Sequence, residues 1–420
     1  MNMRETGRAS GRKSAQAALR SNLADVMQRE FRMNLELFPS LGPHHDMGAG
    51  VLAYDRQRLA CTPDYSKFPE LKGMGDRAIG EREGFLEGSG FTEVHAAYNY
   101  SWWAYCWKHV NAHHVARYDL TSAQQQCTNV FFPEGKDGVT ISDNRDDVPR
   151  PWYQDHVAAF RLSPIPADNQ VRWGQGGVSS SVLLDEEPQC IFPYNPFETI
   201  PDECLDDIRV MAQYMEERRD FWGPGNQMWV DRNHNAVAVE KANVRVAFRY
   251  PTSNGAACIT ACSYLDPELN AYKRSRLLEV AQRKGETADN CMDILFSDGC
   301  DQRHQRLWDL TNAEAARPGG ATLWGALECV ADTAVPFPAR ICLAGEKCDP
   351  EREPNANWSL TQHAQVITGP HRRGLYRSIQ DMENPRPIYE ETPKLVLGEG
   401  VEMQPEWQQD IDAGRCILAD

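Results

Sequence analysis

The sequence predicts an α+β fold in which sheets are covered by layers of helix. Strand-like segments cluster at 128–147 and again at 178–250. Apolar residues at helical spacing fill the stretches before, between and after those clusters. No regular strand–helix–strand alternation of the parallel-sheet kind runs through the chain. Its 420 residues are enough to bury a large core, and length alone allows two or three domains. No Pro/Ser/Gly-rich linker, low-complexity tract or solenoid-period repeat divides it, so one large structural domain is expected.

In chain order, Leu19, Leu23, Val26 and Met27 mark a helix between about Lys13 and Leu37. Gly42 to Gly50 reads as loop, and Val51 to Tyr54 as a short strand. Glu81 to His114 reads as mostly helical and carries Tyr98, Tyr100, Trp102, Trp103, Tyr105 and Trp107. Such a cluster is ordinarily core; alternatively Trp102 and Trp103 wall a pocket for a fatty or aromatic acyl group. Further on, Gly174 to Gly177 reads as a turn, Val178 to Asp185 as a strand, and Pro201 to Trp222 as a helix. Leu205, Ile208, Met211 and Met215 share one side of that helix. Gln227–Asp231, Ala236–Glu240 and Val244–Tyr250 suggest a meander, and Pro267–Lys284 and Gln302–Ala316 two more helices. The Pro- and Glu-rich tail from Pro385 is expected to wrap the surface.

A formal net charge of −16 argues against non-specific binding to nucleic acid or to anionic membranes, both of which favour a basic surface. The first twenty residues run the other way, with Arg4, Arg8, Arg12, Lys13 and Arg20 against Glu5. They lack the apolar core of a signal peptide and read as a frayed basic terminus. No run of about 18 apolar residues exists, so neither a membrane span nor a membrane partner is expected, and a cytoplasmic protein is. The thirteen cysteines are odd in number and contain no CxxC pair. Most read as reduced, buried, small apolar residues, and no metal or cofactor is expected.

Chemistry concentrates in the stretch Cys127 to Asp147. Cys127-Thr128-Asn129-Val130-Phe131-Phe132-Pro133 is an apolar strand, and Gly135-Lys136-Asp137-Gly138 a turn. Val139 to Asp147 is a second strand with a polar end. Centring the hairpin on Lys136-Asp137 makes opposed residue numbers sum to 273. Cys127 then faces Asp146, and Asn129 faces Asn144. Opposed residues share a face with Cβ atoms roughly 4.5–5.5 Å apart, so a thiol, a carboxylate and two amides would form one patch. A one-residue slip would scatter them.

No histidine lies close in sequence to activate the thiol. The amino group of Cys127 itself can serve, because an α-amine has a reference pKa of about 7.7–8.0. That requires cutting the bond between Gln126 and Cys127. The thiol attacks the preceding carbonyl, an N-to-S shift gives a thioester, and water releases it. Both this step and attack on an amide substrate pass through an oxyanion, and a lost donor there costs roughly 3–4 kcal/mol. Asn129 and Asn144 are donor candidates by position.

Cys127-Thr128 opening one strand and Asn144-Arg145-Asp146 ending the next resemble the N-terminal nucleophile (Ntn) hydrolases. The chain is most similar to their acyl-coenzyme A:isopenicillin N acyltransferase (C45 peptidase) family. Several further segments resemble that family's strands: Asn226–Asp231 with Ala236–Glu240, Ile259–Tyr264 followed by Ser275–Leu278, Ile341-Cys342, and Trp358–Thr361. The resemblance implies a four-layer αββα sandwich of mostly antiparallel sheets. It implies self-cleavage into a helical pro-segment (1–126) and a catalytic β chain (127–420), two partners from one precursor. It further implies Cys127 as nucleophile, Asp146 as the carboxylate beside it, and Arg145 in substrate binding. The substrate would be a small acyl amide, linear or cyclic, with acyl-coenzyme A as one candidate donor and homo-oligomer formation left open. Where relatives carry an Asn after the Thr of the Thr260 strand, this chain has Ala261, and Asn254 is the candidate substitute. The family's late arginine is not evident near Ser359, where Gln362-His363 stands.

Two other classes stay open. An unprocessed Cys–His acyltransferase or hydrolase would pair Cys127 with His363. A catalytically inactive binding member of the fold is the other, and Ala261 favours it.

Overall fold

The computed structural model describes residues 2–37, 44–61, 64–105, 128–136 and 138–147. Further along it describes 172–175, 206–221, 225–231, 233–242, 245–251, 255–260, 264–272 and 299–335. The remainder is 339–342, 360–369, 373–378, 392–398 and 400–419, with isolated positions between. The trace divides into two compact units: Met1–Asp119 with Ser181–Ile200 and Met215–Pro224, and Leu120–Ser180 with Pro201–Tyr214 and Gly225–Asp420.

The first unit carries helices α1 (Met3–Arg20), α2 (Leu23–Leu37), α3 (Met47–Ala60), α4 (Lys72–Leu86) and α5 (Glu93–Tyr105). One helix is expected over Lys13–Leu37; Asn22, at φ 53°, breaks it into two. α1 runs parallel to α4 with the two backbones touching. A Cβ on Gly7 or Gly11 would strike the Arg77 or Glu81 carbonyl, and one on Gly80 or Gly84 that of Arg4 or Arg8. Glycines four apart on both helices thus let the backbones approach where side chains would hold them apart. Arg4 and Arg8 pair with Glu83, and Arg12 with Glu87 at 2.7 Å. The hydrogen bond from Arg4 is the main cause that holds Glu83 down to about 2. The basic N-terminus is therefore a docked helix with its charges matched, not a frayed end.

Val51 and Tyr54 lie inside α3, not in a strand, and both are buried. Four apolar-rich residues cannot by themselves separate strand from helix. Here Asp46 accepts from the Ala49 N–H at 2.9 Å and starts a helix across them. Cys61, just past α3, is disulfide-bonded, an exception to the reduced cysteines expected.

The second unit holds two sheets. β1 (Thr128–Phe132), β2 (Val139–Asp147), β7 (Ala257–Thr260), β8 (Leu360–Gly369), β9 (Arg373–Ser378), β10 (Lys394–Leu397) and β11 (Ile417–Leu418) form a seven-stranded sheet. Its order is β11-β10-β9-β8-β2-β1-β7. β3 (Arg172–Gln175), β4 (Gly225–Val230), β5 (Ala236–Ala242) and β6 (Arg245–Arg249) form the other in sequence order, so the expected meander is present. Among the described strands all pairings are antiparallel except β10 with β11. The class is α+β.

Alternation along β1 assigns its two faces. Val130 and Phe132 pack with Leu307 of α7 (Gly299–Ala315) and with Leu323, Ala326, Leu327 and Val330 of α8 (Leu323–Val330). Phe131, between them, packs with Met228, Val230, Ala236 and Ala238 of the four-stranded sheet. One face of β1 is thus a helix face and the other an inter-sheet face.

Two expectations are corrected here. The C-terminal tail does not merely wrap the surface. It supplies two sheet strands and a helix over Pro405–Asp412, and it buries Leu395, Trp407 and Cys416 in the core. Gly174-Gln175 is not a turn but the end of β3, paired with Met228 and Gln227. The helix expected over Pro201–Trp222 forms as α6 (Ile208–Glu217), with Ile208, Met211 and Met215 buried. The strand expected at Val178–Asp185 lies outside the described residues. Five described cysteines (Cys204, Cys258, Cys329, Cys342, Cys416) are buried and not disulfide-bonded, and burial pushes the Cys258 thiol up to about 12.

Candidate functional site

The hairpin forms one residue out of the expected register. Thr128 opposes Asn144, Asn129 opposes Asp143, and Phe131 opposes Ile141, so opposed numbers sum to 272. The cause lies in the turn. The Gly138 N–H donates to the Gly135 carbonyl at 3.0 Å, and Gly138 sits at φ 84°. A left-handed glycine after a tight turn adds one residue before the second strand starts, which is how a bulged hairpin is built.

That single residue separates the two amides. Asn144 lies on the helix face with Thr128, and Asn129 on the inter-sheet face with Asp143 and Phe131. The expected patch holding both does not form.

Asn144 is fully committed. Its Oδ1 accepts from the Thr128 N–H at 2.8 Å and from Thr128 Oγ1 at 2.7 Å. Its Nδ2 donates to the carbonyls of Val330 at 3.0 Å and Ile341 at 3.1 Å. Val330 is the last residue of α8, so this amide also satisfies a carbonyl at a helix C-terminus. Both amide hydrogens are in use, which leaves none for an oxyanion. Asn144 is a positioning residue that ties the first residue of β1 to the helix layer.

Asn129 is the opposite case. It is fully buried, and neither Oδ1 nor Nδ2 has a hydrogen-bond partner. Asp143, directly across, is half-buried and already engaged.

Arg145 and Asp146 pair through their backbones with His363 and Thr361, across a register shift that leaves Gln362 as an extra residue in β8. Their side chains lie outside the described residues. The pairing of Cys127 with Asp146 required a sum of 273, so the observed register removes its basis. Cys127, Gln126, Asn254 and Ala261 lie outside the described residues, as does the side chain of Trp103.

Trp102 is core rather than a pocket wall. Its ring packs with Phe31, Tyr98 and Tyr105, and its indole N–H donates to Glu30 at 2.5 Å inside the first unit.

Two buried polar residues on α7 carry no sequence signal beyond the helix itself. Arg303 donates to the Ile341 carbonyl at 2.5 Å. His304 is buried with Nδ1 unpartnered, and burial, aided by Arg249, lowers it to about 3. A neutral imidazole with so low a pKa is a poor proton acceptor near neutral pH. The Thr128–Asn144 tie, by contrast, was marked by Gly138, the residue that shifts the register.

Among the described residues, no group of His, Cys, Asp and Glu could hold a metal ion, and no helix is long and apolar enough to cross a membrane. Compared with protein-family models and with curated proteins, the chain matches none.

Proposed function

We propose that this chain is a self-processing amide hydrolase or acyltransferase of the Ntn type, with Cys127 as the nucleophile freed by cleavage after Gln126. The supporting architecture is a pair of face-packed, mainly antiparallel sheets with α7 and α8 against the outer face of one of them. We extend it to the four-layer αββα arrangement. The observation that carries the proposal is Asn129: a buried, wholly unpartnered carboxamide two residues after Cys127 on an inter-sheet face. Native proteins pair nearly all buried polar groups, so an orphan of this kind calls for a function.

The chemistry balances within the chain. The Cys127 sulfur bonds to the Gln126 carbonyl carbon, the Cys127 nitrogen leaves as an amine, and water then displaces sulfur to release a Gln126 carboxylate. The freed amine takes the thiol proton in later turnovers. The first unit draws residues from both sides of the proposed cut. Phe221 packs on Tyr65 and Phe68, and Arg218 pairs with Glu70 at 3.1 Å. The two pieces would therefore stay together.

An unprocessed Cys–His enzyme that pairs Cys127 with His363 is the second reading; the His363 backbone pairs with Arg145 of β2, which lies next to β1.

Intact mass and N-terminal sequencing test the proposal. Wild type should give pieces of 126 and 294 residues, and Cys127→Ala a single 47.5 kDa chain. An uncut wild-type chain with acyl-amide turnover would favour the unprocessed enzyme. An uncut chain without turnover would favour an inactive binding protein.

A further inference from the structure

We propose that His95 is a pH-sensitive latch: neutral, it holds the turn between α4 and α5 closed, and protonated, it lets that turn open. Thr92 directly precedes α5, so it stands at the N-cap and His95 at the third helical position. The Thr92 backbone N–H donates to His95 Nδ1 at 3.1 Å, and Thr92 Oγ1 lies 2.8 Å from the same atom. A Glu or Gln at this position reaches back to the N-cap N–H in the same way. Histidine can do so in one charge state only. An N–H can point at Nδ1 only if Nδ1 carries no proton, so the neutral ring holds its hydrogen on Nε2. An imidazolium has donors at both nitrogens, and the Thr92 N–H then faces another N–H. The helix N-terminus opposes the new positive charge as well.

The same ring helps to close the turn. Phe91 stacks on Phe85 with centroids 5.1 Å apart, and the His95 ring lies 5.2 Å from that of Phe91. Ser89 Oγ donates to the Phe85 carbonyl at 2.7 Å and accepts from the Phe91 N–H at 3.2 Å. The Phe91 face attracts a cation and is the neighbour that favours the protonated ring. The titratable groups of α5 and of the elements packed against it are engaged with one another. Glu93 pairs with Arg56 of α3 at 2.6 Å, Asp55 of α3 with Arg82 of α4, and Glu87 with Arg12 of α1 at 2.7 Å. Arg58 of α3 donates to Ser101, Tyr100 donates to the Glu81 carbonyl, and Glu30 of α2 takes the Trp102 N–H. His45 meets Tyr105 at the far end of α5. Burial lowers the His95 pKa from 6.5, yet the ring is only half-buried and stays within reach of solvent protons. The latch is therefore held in full above pH 6.5 and lost as pH falls through the depressed pKa.

Hydrogen exchange of the full chain, each rate divided by the intrinsic rate at its own pH, reads the latch whether or not the chain cuts itself. Between about pH 7.5 and 5, protection of the peptide 88–97 should fall about fivefold, the size of effect one lost cap gives. Protection of α2, which has no histidine, should hold. His95→Gln keeps an acceptor that does not titrate, so its 88–97 protection should stay high at both pH values. His95→Ala has no acceptor, and protection there should be low at both. Ring nitrogen NMR, with the His95 signal assigned by its loss in His95→Gln, should show the Nε2–H tautomer and a pKa below 6.5. Flat protection in wild type, a pH response that survives in His95→Gln, or an equal fall in α2 overturns the inference. So does an Nδ1–H tautomer, or a pKa at or above 6.5, which would mean that the Phe91 face outweighs the cap.

Discussion

On the helix face of the β1–β2 hairpin, Asn144 has every hydrogen bond its carboxamide can use, joining Thr128 to the ends of two backbone segments. On the inter-sheet face, Asn129 has none. The two residues have the same side chain, stand on neighbouring strands and are equally buried. Their difference separates what holds the hairpin in place from what it presents. A saturated amide stabilises its site, whereas an unsaturated one costs stability and persists where a ligand or a reaction completes it.

The largest effect should come from breaking the saturated side. Asn144→Leu would leave the Thr128 N–H and the Val330 carbonyl without this partner and weaken the satisfaction of Ile341, whose carbonyl keeps Arg303. Each buried group left unmet costs about 1–3 kcal/mol, so a loss of about 4 kcal/mol or more is expected by denaturant unfolding. A loss under about 1 kcal/mol would mean that the network does not hold β1, and the contrast between the faces would fail.

A second, smaller effect sharpens the helix-face half of the comparison. His304 stands one turn before Leu307 on α7, buried near Arg249, and its pKa is lowered from 6.5 to about 3. Below pH 6.5 the unfolded chain binds a proton that the folded chain refuses. The stability held in full above 6.5 is therefore lost as pH falls toward about 3, at roughly 1.4 kcal/mol per pH unit. At pH 4.5 the loss is about 3 kcal/mol. His304→Met should flatten the slope between pH 6.5 and 5, where few carboxylates titrate. An unchanged slope in that variant would show that other groups govern acid stability on this face.

These contrasts bear on how much the chain discloses before it folds. The hairpin, the meander and the long helices were legible because apolar spacing and Gly-bracketed turns are local signals. The register was not, although its cause, Gly138, was in plain view. Whether such a glycine sits inside a two-residue turn or follows it as an extra residue depends on backbone angles, and the sequence permits both. Moving one residue put Asn129 and Asn144 on opposite faces, where the expected register had set them side by side with one role. The docking of α1 was hidden differently. Gly7 and Gly11 meet Gly80 and Gly84 across about seventy residues, and neither pair signals anything until the other is beside it. Arg303 and His304 look like ordinary surface positions of a polar helix, and only tertiary packing buries them.

The smallest effect is the most discriminating, because its sign opposes that of Asn144→Leu. Leucine at residue 129 removes a donor and an acceptor that nothing satisfies and places similar volume next to Phe131. The folded state should gain about 1–2 kcal/mol, since replacing an unmet buried amide by an apolar group removes its desolvation penalty. Self-cleavage measured by intact mass should slow in the same variant, if Asn129 is the donor that steadies the oxyanion at the Gln126 carbonyl. A gain in stability with slower cleavage is what a site that trades stability for function predicts. Destabilisation by Asn129→Leu would mean that the amide is satisfied in the working molecule. The two faces of the hairpin would then differ in geometry but not in purpose.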